Sequence, residues 1–200
     1  MLEATGQAAS LDALCNYFIE LDSLKLVNRR TYINAGERLE NSAEHSWHLA
    51  MACWAMARLF ELNVSEEKLL KLALVHDLGE IDAGDTFLYS SNRDTAHTAE
   101  RECVARLAKH RGNPVAELAE LWEEQETGAS PETRLLKAVD RLLPFLHNIA
   151  SQGKTWRELS VKKSQVVAAH AFIATDFPEL HHWMSSRIEH AVYEGWLINA

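Results

Sequence analysis

The sequence contains few cysteines and prolines. Its 200 residues include three cysteines and four prolines. Cys15, Cys53 and Cys103 are odd in number, lie far apart and form no Cys-x-x-Cys pair, so neither a disulfide framework nor a thiolate zinc site is indicated. The chain also lacks internal repeats and long Gly, Ser or Pro tracts. Nothing marks a domain boundary, and residues 1–200 are expected to form one domain.

An excess of positive charge is also missing. Lys and Arg number 20 against 29 Asp and Glu, and the net charge is −9. A broad nucleic-acid or anionic-membrane surface needs clustered Lys and Arg, so any phosphate site has to be local. There is no basic and apolar leader and no apolar run long enough for a bilayer. We therefore expect a cytoplasmic protein that binds neither a membrane nor a nucleic-acid polymer.

Sustained alternation of apolar and polar residues, the pattern of a β-strand, is absent. Apolar residues instead recur at steps of three and four, as in Leu11, Leu14, Phe18 and Leu21. The pattern predicts an all-α fold of about seven or eight helices. Local start and stop signals place them at residues 10–28, 41–62, 65–79, 94–111, 114–128, 130–151, 160–175 and 178–198.

Two of these helices carry distinctive local signals. Asn41 and Glu44 form a capping-box pattern at the start of the second helix. Pro144 falls inside the helix of residues 130–151, where its ring is expected to cause a kink. Arg38 and Glu40, just before the capping box, are expected to form an ion pair.

Residues 74–85, LVHDLGEIDAGD, combine His76 and Asp77 with further carboxylates. Adjacent helical residues point about 100° apart, so both can reach one small ion only if it lies close to the helix backbone. On its own, a His-Asp pair at a helix end is more often a cap or surface feature than a metal site.

Asp140 strengthens the case for a site, because it lies in the apolar segment LLKAVDRLLPFL. A buried carboxylate costs several kcal/mol unless it is paired. Its partner is either an arginine, such as Arg134 or Arg141, or a cation shared with other ligands. His45, His76, Asp77 and Asp140 together would offer two imidazoles and two carboxylates, which suits Mn, Co, Fe(II), Zn or Mg.

The order of His, His-Asp and Asp on separate helices resembles the HD-domain metal-dependent phosphohydrolase superfamily. Four segments are similar to its bacterial 5'-deoxynucleotidase branch: LKLVNRR (24–30), RLENSAEHSWHLA (38–50), LALVHDLGEIDAGD (72–85) and KAVDRLLPFLHN (137–148). The resemblance covers about residues 10–150. It implies a single HD domain, with the C-terminal helices of residues 160–198 packed on this core.

The resemblance also implies a reaction. One divalent ion held by His45, His76, Asp77 and Asp140 would lower the pKa of its bound water and polarise a phosphoryl oxygen. That water would attack a phosphomonoester, most simply a nucleoside 5'-monophosphate.

Further residue roles follow from the same motifs. Glu80 and Asp85 match the family's functional Glu and Asp, which implies that they orient water and transfer protons. Arg29 stands where the family places a substrate-binding Arg, and a guanidinium matches phosphate oxygens. Arg30 is assigned to the substrate as well, although the deoxynucleotidases carry at this position a Trp associated with recognition of the sugar. An arginine does not reproduce that flat apolar wall.

Three alternatives remain open. The substrate could be another small phosphomonoester. A di-iron oxygenase of the HD type would need His97 or His110 at the metal, and a helix of 1.5 Å rise per residue places these about 20 Å apart. A non-catalytic binding module would keep the fold but would not need Glu80 and Asp85. The resemblance and the Trp-rich helices also favour a homodimer.

Overall fold

A computed structural model describes residues 4–90 and 93–200, without the side chains of residues 4–9 and 93–95. Eight helices have at least eight residues: α1 Ala4–Asp22, α2 Ser42–Leu59, α3 Glu66–Val75, α5 Arg93–Ala108, α6 Leu118–Thr127, α7 Pro131–Ala150, α9 Lys163–His170 and α11 Pro178–Tyr193. Shorter helices are α4 Glu80–Ala83, α8 Lys154–Glu158, α10 Ile173–Asp176 and a 3-10 helix, Ser23–Leu26. The predicted all-α class is confirmed.

A small antiparallel hairpin, which the sequence pattern did not predict, precedes α2. Its strands are β1, Asn28–Ile33, and β2, Arg38–Asn41. The hairpin is fixed by residues that come more than a hundred positions later: Thr155 Oγ1 donates to Arg30 O at 2.8 Å, and Lys154 Nζ donates to Gly36 O at 2.8 Å. Strands this short are stabilised by such tertiary contacts more than by local pattern.

The beginning of α2 follows the predicted capping box. Glu44 N donates to Asn41 Oδ1 at 2.9 Å, and Asn41 N donates to Glu44 Oε2 at 3.2 Å. These two bonds satisfy backbone donors that the first turn of a helix leaves free. The cap therefore fixes where α2 starts, and with it the position of His45 in the first turn.

The main apolar core lies among α2, α3 and α7. Leu49, Leu72 and Val139, one from each helix, are fully buried and belong to one cluster. Trp156 and Met184, from the C-terminal segments, are buried in the same cluster. The α7 helix continues through Pro144, with Asn148 Nδ2 donating to the Pro144 carbonyl at 3.0 Å.

The chain turns sharply after α3, which ends at Val75 rather than at the predicted Gly79. Gly79 lies against α5, where an added Cβ would come within 2.9 Å of Glu100 O, so the close approach of α4 to α5 requires glycine here. His76 and Asp77 lie in the turn of residues 76–79, between α3 and α4. In the parts of the chain that the structure describes, no helix has the length and apolar character needed to cross a bilayer.

Candidate active site

His45, His76, Asp77 and Asp140 meet at the junction of α2, the turn after α3 and the middle of α7. His45 Nε2 lies 3.0 Å from Asp140 Oδ1, and His76 Nε2 lies 3.3 Å from the same oxygen. Asp77 Oδ1 is 3.3 Å from His76 Nε2. Among these four, His45, Asp77 and Asp140 are buried. The tertiary structure thus brings together four groups that are up to 95 residues apart in sequence.

The orientation of His76 suits a metal ligand. Its Nδ1 donates to Gln125 Oε1 at 2.9 Å. Gln125 Nε2 donates to Glu126 Oε1 at 2.8 Å, and this second bond turns the amide oxygen of Gln125 towards the ring. Nε2 is then the atom whose lone pair faces Asp77 and Asp140, as in metal sites where a second group fixes the imidazole tautomer. The residues present therefore fit a borderline to hard divalent ion. Gln125 gave no signal in the sequence.

The electrostatics of the cluster also favour a cation. Burial by itself lowers the pKa of His76, but Asp77 and Asp140 outweigh it and raise that pKa to about 10. The pKa of His45 is raised as well, because Asp140 and Glu40 outweigh burial and the nearby Arg29. The carboxylates thus favour positive charge at both imidazoles, and a divalent ion would compete with protons for the same nitrogen atoms.

Of the two partners that the sequence left open for Asp140, the arginine is present, and two imidazoles that could share a cation with it lie on the other side. Oδ1 faces the two imidazoles, and Arg141 Nη1 donates to Oδ2 at 2.5 Å. Burial alone would raise the pKa of Asp140, but Arg141, His76 and His45 hold it well below its ordinary value. Asp140 is therefore charged at neutral pH and available as a ligand.

Arg29 projects from β1 into the same site with its side chain 12% exposed. Its Nη1 lies 2.9 Å from Asp77 Oδ2, 3.6 Å from Asp85 Oδ1 and 3.9 Å from Glu80 Oε1. Burial opposes the charge, yet these carboxylates raise the pKa of Arg29 above its ordinary value. It supplies positive charge where three acidic groups converge.

Glu80 and Asp85 lie beside Arg29, at the start of α4 and just beyond its end. Burial, together with Asp77, raises the pKa of Glu80 well above its ordinary value although Arg29 acts in the opposite direction. Burial likewise raises the pKa of Asp85. Ser42 Oγ donates to Glu80 Oε2 at 2.5 Å, which fixes that carboxyl group. A buried carboxyl group with a raised pKa is suited to proton transfer.

The expected ion pair between Arg38 and Glu40 is wrong. Arg38 instead pairs with Glu44 at 2.7 Å on the surface, whereas Glu40 is 1% exposed and faces inward. Glu40 Oε2 lies 3.3 Å from His45 Nδ1, a contact that required the hairpin to be known.

A cavity of about 440 Å³ opens onto His76, Asp77 and Asp140, while His45 is buried behind them. Among the described residues, its lining has six carboxylates, Asp77, Glu80, Asp85, Glu100, Glu126 and Asp140, and three fixed cations, Arg29, Lys137 and Arg141. A bound divalent ion would add positive charge to this lining and thereby favour binding of an anionic molecule.

A second, smaller cavity of about 70 Å³ adjoins the first through Arg29, Asp85 and Arg141. It is lined by Arg30 and by aromatic side chains, Phe87, Tyr89, Phe145 and Trp156. Arg30 is exposed and lines this cavity but not the first one. Both arginines therefore line the second cavity, and of the two only Arg29 also lines the first.

His97 and His110, the residues on which the oxygenase alternative depends, lie in different places. His97 lines the large cavity, where its Nδ1 is 3.2 Å from Glu126 Oε2 and its ring stacks on Trp122. His110 lies beyond the end of α5, where its ring stacks on Tyr17. Neither belongs to the group of converging ligand atoms that contains His45, His76 and Asp140.

This arrangement agrees with the comparisons with known proteins. The sequence profile of the HD domain matches residues 21–181, and the chain belongs to this family. A protein from Magnetospirillum magnetotacticum MS-1, whose crystal structure is described as a predicted metal-dependent phosphohydrolase, has a TM-score of 0.83 and 34% identity over 94% of this chain and 98% of its own.

Two curated relatives are 5'-deoxynucleotidases. The one from Danio rerio is 26% identical over 86% of this chain and 82% of its own length. The one from Cronobacter sakazakii is 28% identical over 83% of this chain and 84% of its own length. A conserved hypothetical protein from Pyrococcus furiosus, 22% identical with a TM-score of 0.56 over 90% of this chain and 99% of its own, shares the fold.

Proposed function

We propose that this protein is a metal-dependent phosphohydrolase that releases phosphate from a nucleoside 5'-monophosphate. The observation that carries the proposal is the convergence of two imidazoles and two carboxylates, with His76, Asp77 and Asp140 lining the same cavity as the raised-pKa carboxyl groups of Glu80 and Asp85 and with His45 buried behind them. The similarity to 5'-deoxynucleotidases over most of the chain supports a nucleotide as the substrate.

His45, His76, Asp77 and Asp140 would hold one divalent ion. Such an ion lowers the pKa of a bound water and polarises a phosphoryl oxygen. The identity of the ion is left to Mn, Co, Fe, Zn or Mg by this ligand set. Arg141 would keep Asp140 charged through their contact at 2.5 Å. Gln125 would hold His76 in one tautomer through their contact at 2.9 Å.

Arg29 would bind the phosphate group. Its guanidinium lies among Asp77, Glu80 and Asp85 at the mouth of the ligand cluster, and a guanidinium matches two phosphate oxygens at once. A phosphate bound there would be placed between Arg29 and the two proton-transferring carboxyl groups.

Glu80 would protonate the departing alkoxide, since its pKa is raised well above the ordinary value and its proton is retained to higher pH. Asp85 would orient the attacking water. Its Oδ1 lies 3.6 Å from Arg29 Nη1, next to the proposed phosphate position. This assignment accounts for why two buried carboxyl groups are needed next to the metal ligands.

The substrate class should include both ribo- and deoxyribonucleotides. Arg30 lines the small aromatic cavity beside the site, where its polar side chain can accommodate the 2'-hydroxyl of a ribonucleotide rather than exclude it. We expect rates on the two sugar series within about tenfold of each other, because no flat apolar wall is provided by this residue.

The test is a panel of ribo- and deoxyribonucleoside 5'-monophosphates, assayed for phosphate release with Mn²⁺, with Co²⁺ and with chelator. Activity is expected with metal, loss with chelator, and loss in Asp77→Ala. Inactivity on the whole panel in the presence of metal, or full activity of Asp77→Ala, would refute the assignment. Activity on glycerol phosphate with none on nucleotides would favour another small phosphomonoester.

We further propose a homodimer that forms through the outer face of α2. Trp47, Met51 and Trp54, at steps of four and three residues, are 66%, 45% and 41% exposed, and an apolar stripe of this kind is a common contact surface. Trp47→Glu should shift the mass measured by light scattering to that of a monomer, whereas Tyr193→Glu, at a residue 84% exposed, should not. A wild-type monomer would contradict this part of the proposal.

We also propose that residues 1–200 act as one domain in the cytoplasm. Residues of α2, α7 and α11 share one apolar cluster, which supports a single cooperative unit. Cys15, Cys53 and Cys103 are free thiols, which accords with a reducing compartment. A single urea transition by fluorescence and circular dichroism is expected, and two separated transitions would argue for two units.

A further inference from the structure

Glu40, on β2, has an unusual environment for a carboxylate. It is 1% exposed, and its Oε2 atom is surrounded by groups from three elements: His45 Nδ1 at 3.3 Å, Arg29 Nε at 3.5 Å, Thr31 Oγ1 at 3.3 Å and His147 Nδ1 at 3.8 Å. A buried charge persists only when such partners compensate its desolvation. Glu40 therefore belongs to the interior of the site and not to the surface of the hairpin.

Glu40 Oε2 also lies close to three buried nitrogen atoms that have no hydrogen-bond partner. Among the described residues, the buried side-chain nitrogen atoms without a hydrogen-bond partner are Arg29 Nε, His45 Nδ1 and His147 Nδ1. All three lie within 3.8 Å of Glu40 Oε2, close to it but not aligned for a hydrogen bond. A small rotation of the carboxylate would align it with one of them, so Glu40 is the available acceptor for each.

A metal ligand in particular needs this acceptor. Nε2 of His45 faces Asp140, so a metal-bound neutral ring carries its proton on Nδ1, on the side of Glu40. Carboxylates in this position fix the ring and raise its basicity. Arg29 has the same relation to Glu40, with Nε towards Oε2 and Nη1 towards Asp77.

We propose that Glu40 is a positioning residue that orients His45 for the metal and Arg29 for the phosphate from behind the site. One carboxylate thereby couples a metal ligand to a substrate-binding residue. This inference rests on the proposed function, since it takes His45 and Arg29 in the roles given above. Glu40 itself lines neither cavity and touches no substrate.

Two substitutions separate orientation from charge compensation. Glu40→Gln keeps the length of the side chain and removes its charge, whereas Glu40→Asp keeps the charge and withdraws it from His45 by one methylene. A role limited to balancing charge is preserved in Glu40→Asp, but a role in orienting the ring is lost in both. The matched control is Glu44→Gln, because Glu44 pairs with Arg38 on the surface and Gln also suits the capping box.

The measurements are the dissociation constant for Mn²⁺ by calorimetry and the visible absorption spectrum of the Co²⁺-loaded protein. Loss of an outer carboxylate of this kind weakens metal binding by about 10–100-fold. We expect that loss in both Glu40 variants together with a changed Co²⁺ spectrum, and a value within about twofold of wild type in Glu44→Gln. Competitive inhibition by inorganic phosphate should also weaken in both Glu40 variants, through Arg29.

Unchanged Mn²⁺ affinity in either folded Glu40 variant would overturn the proposal. If neither variant folds, Thr31→Val removes only the hydroxyl that contacts Oε2. A severalfold weaker Mn²⁺ affinity is then expected, and an unchanged one also overturns it. The Mn²⁺ affinity and the Co²⁺ spectrum do not depend on turnover, so a protein that binds Mn²⁺ through Glu40-dependent ligands without hydrolysing any nucleotide would refute the proposed function and leave this inference standing.

Discussion

Replacing Arg29 by Gln should destabilise the protein in a way that depends on pH. Arg29 is 12% exposed and faces three carboxylates of the site. At an effective dielectric constant of about 20, unit charges at the 3.6 Å separation of Arg29 Nη1 and Asp85 Oδ1 attract by roughly 5 kcal/mol. Desolvation of the guanidinium offsets part of this attraction, so we expect a loss of about 3–5 kcal/mol in the free energy of unfolding at pH 7.

The sign of the pH dependence follows from the carboxyl groups left behind. The pKa values of Glu80 and Asp85 are already raised, and Arg29 acts to lower both, so its removal raises them further. At pH values between the pKa of these carboxyl groups in the unfolded state and their pKa in the folded state, the folded protein binds more protons than the unfolded protein. The free energy of unfolding therefore falls as the pH rises. The destabilisation should therefore shrink from pH 7 to pH 5, by up to about 1.4 kcal/mol per pH unit for each proton bound.

The assay is urea unfolding of wild type, Arg29→Gln and Arg38→Gln at pH 5 and pH 7 with chelator present. Arg38 is a matched control because it is an exposed arginine of the same hairpin, paired only with Glu44. We expect little change in the control at either pH. A loss for Arg29→Gln that equals the control, or that grows at pH 5, would refute the electrostatic account of the site.

Three further predictions concern catalysis, acid stability and packing. Glu80→Gln should lower kcat on a nucleoside monophosphate by about 10²–10⁴ but much less on 4-nitrophenyl phosphate, whose leaving group needs no proton; equal losses would remove Glu80 as the acid. Burial lowers the pKa of His170 in the folded state. The contribution of the neutral ring to folding stability is therefore complete above the pKa of the unfolded state, near 6.5, and it is lost as pH falls through the pKa of the folded state. The urea midpoint of His170→Gln should accordingly fall less steeply than wild type between pH 6.5 and pH 5, and parallel slopes would contradict this. Leu135→Ala, at a fully buried residue, should lose about 2–5 kcal/mol in urea unfolding, and a loss below 1 kcal/mol would show that the core is less tightly packed there.

Local features of the sequence predicted the local features of the structure. The spacing of apolar residues predicted the helices, since that spacing reflects one buried face on a 3.6-residue period. Asn41 and Glu44 predicted the start of α2 because a capping box is made within one turn. The stop of α3 was predicted four residues late: the helix ends at Val75, and Gly79, the predicted end, lies in close contact with Glu100 of α5.

The order of His45, His76-Asp77 and Asp140 predicted a ligand set, and the ligand atoms of His45, His76 and Asp140 do converge, with Asp77 beside His76. Pairings between the elements were beyond the sequence. Gln125 fixes His76, and Glu40 turns towards His45 rather than Arg38. Neither contact leaves a pattern in neighbouring residues, because each joins segments that meet only once the helices have packed.

The sequence by itself thus determined the helical class, because that depends on residue type and short-range spacing, and it nominated candidate metal ligands from the order of their motifs. Only the tertiary structure decided the hairpin, which depends on bonds from Lys154 and Thr155, and the charge balance around Arg29. It also decided which carboxylates are buried, and burial is what raises the pKa values of Glu80 and Asp85. An Asp or Glu in the sequence does not reveal its own role. The groups packed around it determine whether it serves as a metal ligand, donates a proton or orients another side chain.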